Sequence, residues 1–445
     1  MTDTLWPQVD LGKVAWFQEG PGILAKDFRT NGIPLVRLSG LGGHQVTLKG
    51  CNFVDGAKVS KTWDHFRLVR GDIVISTSAS FGRPAVVSDQ AQGAIFYTGL
   101  IRFRPSSNDL DAGYLKTFLG SREFMLQAVA QASGSVIQHF GPSHLRRMQI
   151  TLPPIEEQRR IAEVHSRLDD KIELNRRMNE TLEGMAQAIF QDWFVDFGPT
   201  RRKAAGEANP VAVMGGLTPD PARAAHLAAL FSAAFGEDDL PLGWSETSIG
   251  DLVKIQGGST PSTADESLWF PGLHHWATPK DLSNMNDLAL FGSSRQISDA
   301  GLAKITSGLL PVGAVLLSSR APIGYLAIAQ VPVAINQGFI GLLPTAEIGS
   351  AYLCLWCKAN MDKITANANG STFQEISKRN FRPITSAVPT DRRIIAEFGE
   401  IATPLIDRIV AAAKENQILA KTRDYLLPRL MSGEARVAPQ SVERA

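Results

Sequence analysis

The strongest constraint on this chain is that it is written twice. Short words from its first half return in the same order roughly 240 residues later. Trp6, Leu11-Gly12-Lys13-Val14 and Gln18-Glu19-Gly20 are answered by Trp244, Ile249-Gly250-Asp251-Leu252 and Gln256-Gly257-Gly258. Gly71-Asp72-Ile73-Val74-Ile75-Ser76 is answered by Gly313-Ala314-Val315-Leu316-Leu317-Ser318. Gly82 and Gly99 are matched by Gly324 and Gly338, and Tyr114-Leu115 by Tyr352-Leu353. Gly134-Ser135 and Gln138 return as Gly370-Ser371 and Gln374, then Arg159 and Ile161-Ala162-Glu163 as Arg393 and Ile395-Ala396-Glu397. Solenoid repeats are far shorter, so each copy must be a domain with its own core. Between the anchors the copies diverge, most of all at 21–70 against 259–312.

Each copy begins with short β-prone runs punctuated by Gly, Pro and Ser: Ile73–Ile75, Ala85–Val87, Leu100–Phe103, and later Val315–Leu317 and Phe339–Leu342. A helix of about 20 residues is expected near 112–132 and again near 350–367. Strands first and helices later predict α+β domains rather than a parallel βαβ sheet.

A long helix should close each copy. Pro153-Pro154 followed by Glu156-Glu157 is a helix start, because proline suits the first turn and carboxylates complement the dipole. From Ile161 to Trp193 there is no proline and one glycine, Gly184. A 4–3 spacing runs through Ile161, His165, Leu168, Ile172, Asn175, Asn179, Leu182, Ala186, Ile189 and Trp193, which is a coiled-coil seam with polar interruptions. The second copy offers Phe398, Ile401, Leu405, Ile409, Ala412, Asn416, Leu419 and Leu426, with Pro404 expected to kink or restart the helix. Ordinary amphipathic helices in a globular core are the plainer alternative. A helix of about 38 residues would be roughly 57 Å long, more than a small domain needs, and suits a spacer. The expected fold class is α+β: two repeated α+β domains separated by two long antiparallel coiled-coil helices. The boundaries fall at 1–152 (first domain), 153–197 (first helix), 198–240 (linker), 241–388 (second domain), 389–432 (second helix) and 433–445 (tail). The linker reading rests on Gly198-Pro199, Pro210, Gly215-Gly216, Pro219 and Pro221; Leu227, Leu230, Phe231 and Phe235 could form one short docked helix inside it.

Net charge is +1 and does not by itself announce a nucleic-acid binder. Residues 1–152 hold 16 Lys+Arg against 11 Asp+Glu, whereas 240–390 hold 10 against 10, so any phosphate grip is shared with basic partners. Three cysteines give no disulfide framework, the first residues lack a signal-peptide pattern, and no apolar run suits a bilayer. A cytoplasmic protein without membrane contact is expected.

Longer words then point to a family. Leu152-Pro153-Pro154-Ile155-Glu156-Glu157-Gln158-Arg159-Arg160-Ile161-Ala162, Asp169-Asp170-Lys171-Ile172-Glu173-Leu174-Asn175, Met178-Asn179-Glu180-Thr181-Leu182-Glu183 and Trp193-Phe194-Val195-Asp196-Phe197 resemble the central region of Type I restriction-modification specificity subunits. Leu426-Leu427-Pro428-Arg429-Leu430-Met431-Ser432-Gly433-Glu434 resembles that family's distal region. The second copy departs at Val388-Pro389-Thr390-Asp391, where the first has Leu-Pro-Pro and Glu-Gln. The resemblance implies two target-recognition domains, each reading one half of a split, asymmetric double-stranded DNA site. It implies a non-catalytic subunit whose paired helices set the gap and dock two methyltransferase subunits, with restriction-translocase subunits beyond. It places S-adenosylmethionine, ATP and Mg on those partners and no cofactor on this chain.

Residues able to read DNA carry donors and acceptors at loop positions. After the central strand and its copy these are Ser76, Thr77, Ser78, Arg83, Ser318, Ser319 and Arg320. Around the Gly-Ser words they are Ser135, Gln138, His139, Ser371, Gln374, Lys378 and Arg379. Such pairs are also plain turn signals. The divergent stretches are expected to carry much of the base reading. Catalytic alternatives lack support. Cys354-Leu355-Trp356-Cys357 offers two ligands without a third or fourth. No phosphate loop, dinucleotide fingerprint or amino-methyltransferase motif occurs, and Asp169-Asp170-Lys171 sits on a helix where salt bridging is the default.

Overall fold

The computed structural model describes residues 5–77, 84–131, 141–283, 285, 287–320, 322–370 and 374–437. It divides into two compact units, residues 1–174 with 416–445, and residues 175–415.

In the first unit a five-stranded sheet runs in the spatial order Ala15–Glu19, Leu100–Pro105, Ile73–Ser76, Ala85–Val87 and Gln45–Val46. Neighbours are antiparallel except the last pair, which is parallel. Its central strand is buried at every residue, which is why Ile-Val-Ile reads as a continuous apolar run. Ile73, Ile75, Ile101 and Phe103 face the helices that carry Tyr114, Leu115, Phe118 and Phe124. Val74, Val87 and Leu100 pack with Val36, Val46 and Phe96 on the other side. The divergent stretch supplies most of a second sheet, Phe28–Arg29, Asn52–Val54, Ile33–Val36 and Ile95–Phe96.

The second unit repeats this plan. Its five strands run Ile255–Gly257, Phe339–Leu342, Val315–Ser319, Ile323–Ala329 and Ala289–Leu290, again antiparallel until a parallel last pair. A three-stranded sheet, Arg295–Ile297, His274–Ala277 and Val333–Ile335, stands in the place of the four-stranded one. The helix expected near 112–132 is two helices, Ala112–Leu119 and Arg122–Gln131, and its counterpart is Ser350–Ala359 and Met361–Ala366. Capping chemistry explains the breaks. The Ser121 hydroxyl accepts from the Phe124 amide at 3.1 Å, and Asn360 donates to the Trp356 carbonyl at 2.9 Å.

Ile155–Phe194 and Arg393–Ser432 are each 40 residues long, about 60 Å at 1.5 Å per residue. Within the first unit Asp169 meets Arg423 at 2.8 Å. Within the second, Asn175 donates to Glu415 at 2.8 Å and Asn179 to the Ile409 carbonyl at 3.3 Å. The partner number falls as the first rises, so the pairing is antiparallel. The seam differs from expectation at several steps: Phe190, Ala402, Ile406 and Leu427 are buried beside half-exposed Ile189, Ile401, Leu405 and Leu426, and Asp169 is buried beside half-exposed Leu168. An ion pair takes the place of an apolar contact there. Helix two runs unbroken through Pro404. Pro404 and Pro428 lie on its exposed face, where a carbonyl freed by proline can bond to water.

The segment read as a linker, 198–240, is folded. Gly198–Ala204, Pro210–Val213 and Pro221–Ala229 are helices, each with proline in its first turn. Val213, Met214, Leu227 and Phe231 join Trp193, Phe194 and Phe398 in the core of the second unit. Arg202 forks onto Asp192 at 2.9 and 2.8 Å. Of the four prolines that suggested a linker, Pro199, Pro210 and Pro221 stand in the first turn of a helix and Pro219 lies just before one.

Candidate nucleic-acid interface

The repeat anchors lie far apart in sequence, but pairing gathers them at one end of each large sheet. In the second unit Gly257 lies opposite Ile340 and Ser318 opposite Phe339. The Ser319 amide donates to Gly338 at 2.8 Å and the Ile376 amide to Ser319 at 3.0 Å. The first unit repeats this geometry: the Thr77 amide donates to Gly99 at 2.9 Å and the Gly20 amide to Leu100 at 3.0 Å. Glycine is required where the strand leaves the sheet. A Cβ on Gly20 would strike the carbonyls of Phe96 and Tyr97, and one on Gly258 the carbonyls of Ile335 and Asn336.

The predicted contact residues divide at this sheet end. Ser76, Thr77, Ser318 and Ser319 are buried. The Ser318 hydroxyl donates to the Pro322 carbonyl and accepts from the Tyr325 amide, both at 2.8 Å, and so holds its own hairpin. These four side chains do not face solvent. Arg320, Gln374, Lys378 and Arg379 do remain accessible. Arg320 bridges Glu375 through the main chain and approaches its carboxylate at 3.6 Å. Lys378 lies along Gly257, where a Cβ would meet its side chain at 2.9 Å. Ser78, Arg83, Ser135, Gln138, His139 and Ser371 lie outside the described residues. Sequence reading passed over Thr260 and Gln337, which hydrogen-bond at 2.5 Å, and Thr98 and Glu19, at 3.4 Å. Glu19 belongs to an anchor word, Thr98 and Gln337 adjoin Gly99 and Gly338, and Thr260 lies two residues past Gly258; that proximity was the available signal.

The other chemistries have structural places. Cys354 and Cys357 are fully buried on helix Ser350–Ala359; burial pushes the Cys354 thiol up to about 12 and Cys357 well above its usual range. Such thiols stay protonated and pack as small apolar groups. Asp169 is an ion-pair residue. Burial pushes its carboxyl up, but His165, Arg423 and His44 outweigh that and hold it below the usual range. Among the described residues no helix is long and apolar enough to cross a membrane.

A family model described as the Type I restriction modification DNA specificity domain matches residues 5–184 and 241–418. The chain belongs to that family. Each match takes in one sheet pair and part of the long helix after it, so the structural repeat and the domain repeat coincide. As a Type I restriction-modification specificity subunit it carries two DNA specificity domains in tandem. The HindI specificity subunit of Haemophilus influenzae is 26% identical over 409 residues, covering 82% of this chain and 86% of that one. The MjaIX specificity subunit of Methanocaldococcus jannaschii is 34% identical over 195 residues, 42% of this chain and 44% of the relative. The crystal structure of a Type I restriction-modification S subunit from M. genitalium shares the fold, with a TM-score of 0.55, 15% identity and 97% of both chains covered.

Proposed function

We propose that this specificity subunit supplies the address and none of the chemistry of its complex. Each DNA specificity domain reads one half of a split, asymmetric double-stranded site. The observation that carries this is the duplicated sheet, whose two copies keep one strand order while the residues around its polar end differ. Arg320, Gln374, Lys378 and Arg379 contact DNA from that end in the second domain. The long helices set the gap between half-sites and dock two methyltransferase subunits, with restriction-translocase subunits joining them in the cytoplasm. S-adenosylmethionine, ATP and Mg belong to those partners. The thin basic balance supports this division, since a protein gripping phosphates unaided carries a larger positive excess.

The experiment is co-expression of the full chain with its methyltransferase subunits in a host lacking adenine methylation, followed by methylome sequencing. A two-part motif is expected, and two methyltransferase copies should co-purify per chain. Methylation by the purified chain alone with S-adenosylmethionine would overturn the non-catalytic assignment. A seven-residue insertion within 165–185 keeps the heptad and adds roughly 10 Å of helix. An active variant that keeps the original gap would show that the helices do not set it.

A further inference from the structure

The divergent stretches share no anchors in sequence, yet strand pairing aligns several of their positions. In both halves the small sheet contains a parallel pair, with Val36 opposite Phe96 and Ala277 opposite Ile335. The same main-chain bond closes its end, from Tyr97 to the Val36 carbonyl at 3.1 Å and from Asn336 to the Ala277 carbonyl at 3.0 Å. The same glycine passes against it, Gly20 or Gly258. Tyr97 therefore corresponds to Asn336 and Arg37 to Thr278. The antiparallel neighbour adds one more correspondence. Asn52 lies opposite Leu35 and Arg295 opposite Trp276, so Asn52 corresponds to Arg295.

Two positions thus frame one corner beside the polar sheet end, and the arginine has changed strands between the halves. In the first half the Arg37 guanidinium lies 4.1 Å from the Tyr97 ring centre and donates to Asn52 at 2.8 Å. In the second half Thr278 is occupied, its hydroxyl donating to Asp281 at 2.9 Å. There the guanidinium of Arg295 lies 3.7 Å from the Trp269 ring centre and 5.2 Å from Trp276. It is exposed, shares a cleft with Thr278 and Lys280, and has no ion pair or hydrogen bond from its guanidinium among the described residues. Stacking fixes the plane of a guanidinium and leaves its edge donors pointing outward. A fixed, planar fork of donors matches O6 and N7 of guanine in the major groove. Arginine covering an aromatic ring can also be mere surface packing. Against that stands the coincidence of two stacked arginines at one structural corner, built from different strands, in domains whose task is DNA specificity.

We propose that Arg37, braced by Asn52, and Arg295 are the guanine-reading side chains of the first and second domains. This rests on the two-half-site reading above. The test is the methylome of the complex carrying wild-type chain, Arg37→Gln, Arg295→Gln or Arg295→Lys. Arg295→Gln should relax one guanine position in one half-site, lowering its preference about 10- to 100-fold, the scale of one lost bidentate pair. The other half-site should be unchanged, and Arg37→Gln should give the mirror result. Arg295→Lys keeps the charge but not the fork, so it should also weaken the guanine preference; it carries the test if Arg295→Gln fails to assemble. An unmoved motif in the variants, or a uniform loss at all sites as expected for a phosphate contact, overturns the inference while a two-part wild-type motif stands. A wild-type motif that is not bipartite overturns the underlying reading and the inference with it.

Discussion

Tyr114 and Tyr352 occupy equivalent places in the two halves, both buried on the helix after the sheet, and their hydroxyls meet different surroundings. Tyr114 donates to the Thr151 carbonyl at 2.8 Å. The Tyr352 hydroxyl is buried with no partner among the described residues, while its ring packs against Phe190, Phe194 and Phe398. The helix seam shows the same contrast. The first unit sets buried Asp169 and His165 against half-buried Arg423 and His44, where the second buries the amides Asn175 and Asn179. Ring shape and strand order persist between the halves because packing demands them, and polar detail drifts wherever a local partner can be found or dispensed with.

The largest effect should come from the ionic side of that contrast. Arg423→Ala leaves Asp169 buried without its hydrogen-bonded cation and should destabilise the first unit by about 3–5 kcal/mol. Hydrogen exchange should show the loss in residues 1–174, with the second unit protected as before. Equal loss in both units would mean that the Asp169–Arg423 pair does not set the two seams apart.

Next comes the close crossing between the sheets. Gly258→Ala places a methyl on the Ile335 carbonyl and should cost about 1–3 kcal/mol by overpacking. Its methylome should blur one half-site and leave the other sharp, as should Gly20→Ala for the opposite half. The tyrosines give a smaller and more pointed test. Tyr114→Phe should cost about 1 kcal/mol through the lost hydrogen bond, whereas Tyr352→Phe should be neutral or stabilising. Chemical denaturation of both variants decides it, and matching losses would contradict the structure.

The smallest effect is in pH. Burial pushes the His165 imidazole below its usual range in spite of Asp169, with Arg423, Lys116 and His44 adding to the fall. The unfolded chain then takes up the proton first. His165 therefore contributes stability that is full above the usual imidazole range and declines as pH falls through it toward the lowered folded value. The Asp169 carboxyl, also lowered, acts with the same sign but only below the ordinary carboxylate range, near pH ~4. Gly399 stands at the equivalent place in the second copy. Exchange measured between pH 7 and 5 should show the first unit loosening and the second holding, and His165→Asn should remove the difference.

The amino-acid sequence alone specifies the duplication, the α+β character and the two long helices, and it places Asn175 and Asn179 correctly in the seam. Helical periodicity is written within a few neighbouring residues, and a repeat needs only comparison of the chain with itself. It misread Leu168 for Asp169, because whether a carboxylate may be buried depends on Arg423, some 250 residues away. It took the prolines of 198–240 for a linker, because proline looks alike in a loop and at a helix start. It offered Ser76, Thr77, Ser318 and Ser319 as contacts, because nothing local separates a strand-end hydroxyl that faces water from one that is buried, as all four are. Only the tertiary structure matched Arg37 with Thr278 and Asn52 with Arg295. Those correspondences rest on hydrogen bonds between strands distant in the chain, and a β-strand carries no local record of which strand it will pair with.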